Sequence, residues 1–161
     1  MYNRPTITVL TDPIPGSLRY PNEALRRLVR SLADASHLRR KSPLGDRRYR
    51  GHFAVTRSLL QGFDKIGVSY SYNPWTFGEV ADTVVVLSSI KALAQMIQLK
   101  SEGRINKLLA GPNLVEFPLD AGGLLEHPLV DFCLTPSEWV NRVYEKEAPK
   151  LIGRASSRER V

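Results

Sequence analysis

The chain holds a single cysteine, Cys133, among its 161 residues. No intramolecular disulfide can form, which fits a reducing compartment. No apolar run approaches the roughly 20 residues that a membrane span needs. The N-terminal stretch MYNRPTITVLTDPIPG is too polar to carry the apolar segment of a secretory signal. The expected location is the cytoplasm. There are only three histidines and no H-x-x-x-H pair, and one cysteine supplies no paired thiolates, so the common metal spacings are absent. Neither the G-x-G-x-x-G fingerprint of dinucleotide-binding folds nor the G-x-x-x-x-G-K-[ST] phosphate loop occurs. No G-x-S-x-G elbow marks a hydrolase serine, although counting alone leaves a Ser/His/Asp triad open. What remains is a globular composition, 42% apolar and 24% charged, and a length that suits one domain with its own core.

The net charge of +7 suggests a polyanion partner until its distribution is read. The stretch Arg19 to Arg50 carries ten Lys/Arg against three Asp/Glu and holds the whole +7 by itself. From Gly51 to Leu151 the balance is −2, and the last ten residues add +2. The chain is therefore a near-neutral domain with a basic insert at 19–50. Tyr20 and Tyr49 are the only aromatic residues in that insert, so nucleic acid is not the expected partner. Peripheral contact with an anionic membrane, at its inner face, stays open.

Along the chain, TITVLT (6–11) reads as a strand closed by the turn residues DPIPG. PNEALRRLVRSLADAS reads as a helix with Pro21 near its start and Leu25, Leu28, Val29, Leu32 and Ala33 in one stripe. HLRRKSPLGDRRYR (37–50) reads as a loop. GHFAVTRSLLQGFDKIG (51–67) is expected to be a helix burying Val55, Leu59, Phe63 and Ile66, with Leu60 beside them, and ending at Gly67. VSYSYNP (68–74) is the next strand. TVVVLS (83–88) is an unbroken β-branched run, as in a strand covered on both faces. Ser88 or Ser89 can cap the helix that follows. KLLAG (107–111) and VDFCLT (130–135) are further strands, with Cys133 a buried small hydrophobe. The last helix, PSEWVNRVYEK, is expected to be capped by Ser137 and to carry Trp139, Val140, Val143 and Tyr144 on one face.

Strands alternating with helices over short links argue for an α/β fold: a Rossmann-like three-layer domain with a mostly parallel sheet. In such sheets ligands bind beyond the carboxyl ends of the strands. The turns TDP, RGHF, LSS, AGPN and TPSE should then open on one edge and form a polar rim. Its candidate binding residues are Gly51, His52, Arg57, Ser88, Gly111, Asn113, Ser137 and Glu138. Each also has a structural reading. Gly51 eases the start of a helix or lets backbone N–H groups approach a phosphate or sugar oxygen. His52 is a surface or capping histidine or a substrate contact, and Arg57 is solvated or turned to the edge. Gly111 and Asn113 shape a turn or meet a ligand. Ser137 is a cap, and Glu138 gains from the positive helix end.

RGHFAVTRSLLQGFDKIGVSYSYNP resembles the first motif of glycosyltransferases built from two Rossmann-like domains, the GT-B type, in which a glycine-containing loop opens a helix and a strand follows. KLLAGPNLVEFP and DFCLTPSEWVNRVYEK are similar to later segments of the same N-terminal domain. The resemblance covers residues 51 to 150. It implies a nucleotide-diphosphate sugar as donor substrate, no separate cofactor, and a hydroxyl acceptor on a glycan or a lipid-linked sugar. It implies that the N-terminal domain binds the acceptor, that Gly51 and His52 approach the donor, and that a C-terminal domain, missing here, grips the diphosphate. The basic insert is longer than that family's usual first connection. The decapeptide IGRASSRERV (152–161) breaks the apolar rhythm and resembles one reading frame of a common sequencing adapter, with Ser157 where that frame has cysteine. The expectation is therefore a truncated N-terminal domain, residues 1–151, inactive alone and followed by a non-native tail. A native basic C-terminus is the alternative. The functional alternatives are a stand-alone Rossmann-like binding module and a polyanion binder acting through 19–50.

Overall fold

The computed structural model describes residues 5–15, 25, 52–111, 118–135 and 137–147. Within them five short strands form one sheet: β1 (Ile7–Leu10), β2 (Tyr70–Tyr72), β3 (Thr83–Val86), β4 (Lys107–Ala110) and β5 (Phe132–Cys133). The spatial order is β2-β1-β3-β4-β5, and every neighbouring pair runs parallel. Three helices accompany the sheet: α1 (His52–Ile66), α2 (Ile90–Ser101) and α3 (Glu138–Glu147). The α/β layer expected of the alternating pattern is present, and the sheet is wholly parallel.

The pleat explains the TVVV run of β3. Val84 and Val86 enter the core beneath α2, with Leu10, Leu93, Met96 and Leu108. Val85 faces the other way, against Val9, Leu87 and the α1 side chains Leu59, Leu60 and Phe63. A strand with both faces covered has no place for an alternating polar residue. The helices stop and start as local chemistry dictates. Ser89 caps α2, its hydroxyl accepting from the Ala92 amide at 3.2 Å. Gly67, at φ 71°, turns the chain out of α1, and Val68 N–H donates back to the Phe63 carbonyl at 2.9 Å. The Ser137 hydroxyl accepts from the Val140 amide at 3.3 Å at the start of α3.

Two polar ties, one buried and one half-buried, hold the sheet laterally. Thr8 is fully buried; its hydroxyl meets Ser71 Oγ at 2.8 Å and accepts from the Ala81 amide at 2.8 Å. It thereby joins β1 to β2 and to the segment entering β3. At the other edge Lys100 donates to Asp131 Oδ2, which also accepts from the Leu108 amide at 2.7 Å.

Three apolar assignments change. Ile66 is exposed, at 71%. The buried side of α1 is centred on Thr56, Leu59, Leu60 and Phe63, and at 3.6 residues per turn Ile66 lies roughly 70° off that centre. Trp139 is also exposed, at 72%, because α3 rests on Tyr144 and Val140, more than a quarter-turn away. Leu25 is helical and 63% exposed. The remainder of the helix expected at 21–36 and the loop at 37–50 lie outside the described residues, as does the decapeptide 152–161.

Candidate functional site at the carboxyl edge of the sheet

The direction of winding reverses at β1. The chain passes from β1 through α1 to β2 on one side, then returns to β3 on the other. Helix α1 covers one face and α2 the opposite one. The segments leaving β1 and β3 therefore diverge, and the gap between them at the carboxyl edge is the place where open α/β sheets accept ligands.

At that edge a polar cluster holds the segment after β1. Asn73 Oδ1 accepts from the Thr11 amide at 2.9 Å and the Asp12 amide at 3.3 Å. Its Nδ2 donates to Thr11 Oγ1 at 2.7 Å. The amide orientation follows from this, since a flipped Asn73 would set an NH2 group against two N–H donors. Tyr72 OH lies 3.0 Å from Thr11 Oγ1, and Asp12 Oδ2 lies 3.5 Å from it. A threonine oxygen has two lone pairs and one proton. Asn73 Nδ2 donates to one lone pair, and the Tyr72 hydroxyl and the Asp12 carboxylate complete the contacts of this oxygen. Ser88 closes the other side, its hydroxyl donating to the Thr11 carbonyl at 3.4 Å.

Asn73 holds a φ of 46° immediately before Pro74. A residue before proline ordinarily stays extended, and left-handed backbone is costly for any residue with a Cβ. The three side-chain bonds to Thr11 and Asp12 offset that cost. A second clamp works from the opposite face. Gln95 of α2 is buried; its Oε1 accepts from the Ile14 amide at 2.8 Å and its Nε2 donates to the Ile14 carbonyl at 3.2 Å. The stretch Thr11–Ile14 is thus pinned between β2 and α2 before any ligand arrives.

The residues expected at the rim are distributed as follows. Ser88 belongs to the cluster. Gly111 lies at the end of β4, where a Cβ would come within 2.7 Å of the Leu87 Cα and the Val86 carbonyl oxygen. That close approach accounts for glycine there through packing. Arg57 is exposed in the second turn of α1. Ser137 is the α3 cap, and the exposed Glu138 carboxylate takes the Arg142 guanidinium at 2.7 Å, one turn along. His52 starts α1; its side chain, with Gly51 and Asn113, lies outside the described residues. Thr11, Asp12, Tyr72, Asn73 and Gln95 were not among the expected site residues. Thr11 and Asp12 fall in the TDP turn expected at the rim; for the others, the Asn-Pro pair after β2 and Gln95 within the apolar stretch ALAQMIQL were the signals in the sequence.

Cys133 is half-buried on β5, and burial pushes its thiol up to about 11, so it is a protonated, poor nucleophile at neutral pH. Among the described residues no group of three or more His, Cys, Asp or Glu side chains could hold a metal ion. No helix there is long and apolar enough to cross a membrane. Set against models of protein families, curated proteins and solved structures, the chain has no significant match in any of the three.

Proposed function

We propose that residues 1–151 are the N-terminal, acceptor-side domain of a GT-B-type glycosyltransferase, which in the complete enzyme moves a sugar from a nucleotide-diphosphate donor to an acceptor hydroxyl. One observation carries the reading beyond the sequence resemblance. Between Thr11 and Ile14 every backbone donor is already engaged: Thr11 and Asp12 by Asn73, Ile14 by Gln95, while Pro13 has none. A phosphate cradle is made of unengaged N–H groups. This edge instead carries oxygens, the Asp12 carboxylate and the hydroxyls of Thr11, Tyr72 and Ser88. Such a set suits a partner rich in hydroxyl groups. The diphosphate would then be held elsewhere, by a second domain after residue 151 and by the start of α1. Stabilising the departing diphosphate is electrostatic work, and the groups for it would come from that second domain.

Amplification of the source DNA past the Leu151 codon tests this. The expected result is an in-frame second Rossmann-like domain. The complete protein should release nucleoside diphosphate from a nucleotide sugar in the presence of an acceptor, and residues 1–151 alone should not. A natural stop directly after Val161 would overturn the transferase and leave a binding module.

A further inference from the structure

The last strand and the last helix are joined to the sheet more lightly than the rest. β5 has two residues, Phe132 and Cys133, and stands at the end of the strand order, so it pairs on one side alone. Asp131 N–H donates to the Leu108 carbonyl at 2.9 Å just before it, and Leu134 N–H to the Ala110 carbonyl at 2.7 Å just after it. Phe132 and Cys133 are half-buried, whereas Val84 and Val86 of the central strand β3 are fully enclosed. Helix α3 meets the core through Tyr144 and Val140. Beside these contacts Leu134 and Trp139 remain exposed. Little apolar area therefore holds β5 and α3 down.

The start of β5, by contrast, carries a charged tie. Lys100 lies in the last turn of α2 with its side chain 12% exposed, and its ammonium donates to Asp131 Oδ2. The same oxygen accepts from the Leu108 amide at 2.7 Å. One carboxylate thus joins β5 to both α2 and β4. An ammonium enclosed this far needs its carboxylate, because removing one partner of such a pair strands the other.

We infer that β5 and α3 form a flap that opens from the β4 edge as one unit, with the Lys100–Asp131 pair as its latch. The sparse contacts of the flap let it open at a lower free energy than the whole domain. Opening frees the Leu108 amide and the Leu108 and Ala110 carbonyls along β4. Those are the groups with which an added strand would pair.

Cys133 is the sole cysteine, so its thiol reports the opening without an added probe. Burial pushes that thiol up to about 11 in the closed form, and a reagent that needs the thiolate reads the open one. The full 161-residue chain is labelled with excess dithiobis(nitrobenzoate) at several urea concentrations below the unfolding transition. Amide exchange of Val84–Val86 is followed in the same solutions. The expected labelling rate falls less steeply with stabilising conditions than β3 exchange does, with about a third of its urea dependence. Lys100→Met should speed labelling about tenfold and leave β3 exchange within about twofold. Asp131→Asn, which leaves the enclosed ammonium without its carboxylate, should speed labelling at least as much. Labelling with the full urea dependence of the β3 amides overturns the flap, since the edge then opens only with the whole domain. Labelling with no urea dependence overturns it too, since the thiol then reacts without any opening. An unchanged rate in folded Lys100→Met removes the latch, and an equal gain in labelling and β3 exchange removes the separate unit.

Discussion

The two faces of the sheet are covered to very different depths. Beneath α2 and α3 the packing runs from Leu10 and Ile14 through Leu93 and Met96 to Leu125 and Tyr144, all at or near complete burial. Beneath α1 the fully enclosed residues are Val9, Val85 and Leu87, with half-buried Leu59, Leu60 and Phe63 above them. Tyr72 belongs to this thinner side, since its partner in register is Val9, and it remains substantially exposed. One face carries most of the packing, while the other leaves more of its side-chain surface in water. Regions that bind ligands are commonly drawn from the less densely packed part of a fold.

Truncation on each face measures that asymmetry. Leu93→Ala should cost about 3 kcal/mol, lost transfer energy plus a cavity that a crowded core closes poorly. Leu59→Ala, at a half-buried position, should cost about 1 kcal/mol. Equal losses by urea denaturation would mean that the two faces share the load. Gln95→Leu comes next, at about 2 kcal/mol, because it strands the buried amide and carbonyl of Ile14. Hydrogen exchange should show the Ile14 amide losing protection while the amides of β3 keep theirs. If protection at Ile14 survives, the clamp from the deep face does not hold the edge.

Asn73 tests the clamp from the thin side. Asn73→Ala should cost about 2 kcal/mol, since it removes three side-chain bonds and keeps the left-handed backbone. Asn73→Gly loses the same bonds but relieves the backbone, and should be milder by about 1 kcal/mol. Equal costs would show that φ at this position carries no strain. The smallest effect is expected at Cys133. Burial raises its thiol from 9.0 to about 11, so the folded state favours the protonated form. The stabilisation is fully present below the ordinary value of 9.0 and is lost as pH rises toward about 11. Iodoacetamide should react slowly with the native protein near neutral pH and faster in urea; equal rates would mean that the β5 edge opens freely.

Much of the framework was legible in local pattern. TVVV, the Ser89 cap, the stop at Gly67 and the order of strands and helices depend on residues a few positions apart. The faces of α1 and α3 were less so. Val55, Leu59, Phe63 and Ile66 make an acceptable stripe on paper, and only the position of the sheet turns the helix toward Thr56 and leaves Ile66 in water. The cluster at the edge was nearly invisible, because Thr11 and Asn73 are 62 residues apart and Ile14 and Gln95 are 81 apart. Asn73 reads as a turn residue and Gln95 as a flaw in an apolar helix until their partners are seen.

Alternating strands and helices, and one strand covered on both sides, follow from local residue pattern alone. Periodicity, caps and turn residues act within a turn of helix or a few residues of strand. Which polar groups meet at the carboxyl edge, and that the amides of Thr11, Asp12 and Ile14 are all engaged, depends on contacts between distant segments. Parallel pairing requires long crossovers, and it is the closing of those crossovers that brings Asn73 and Gln95 from distant segments onto four residues of loop.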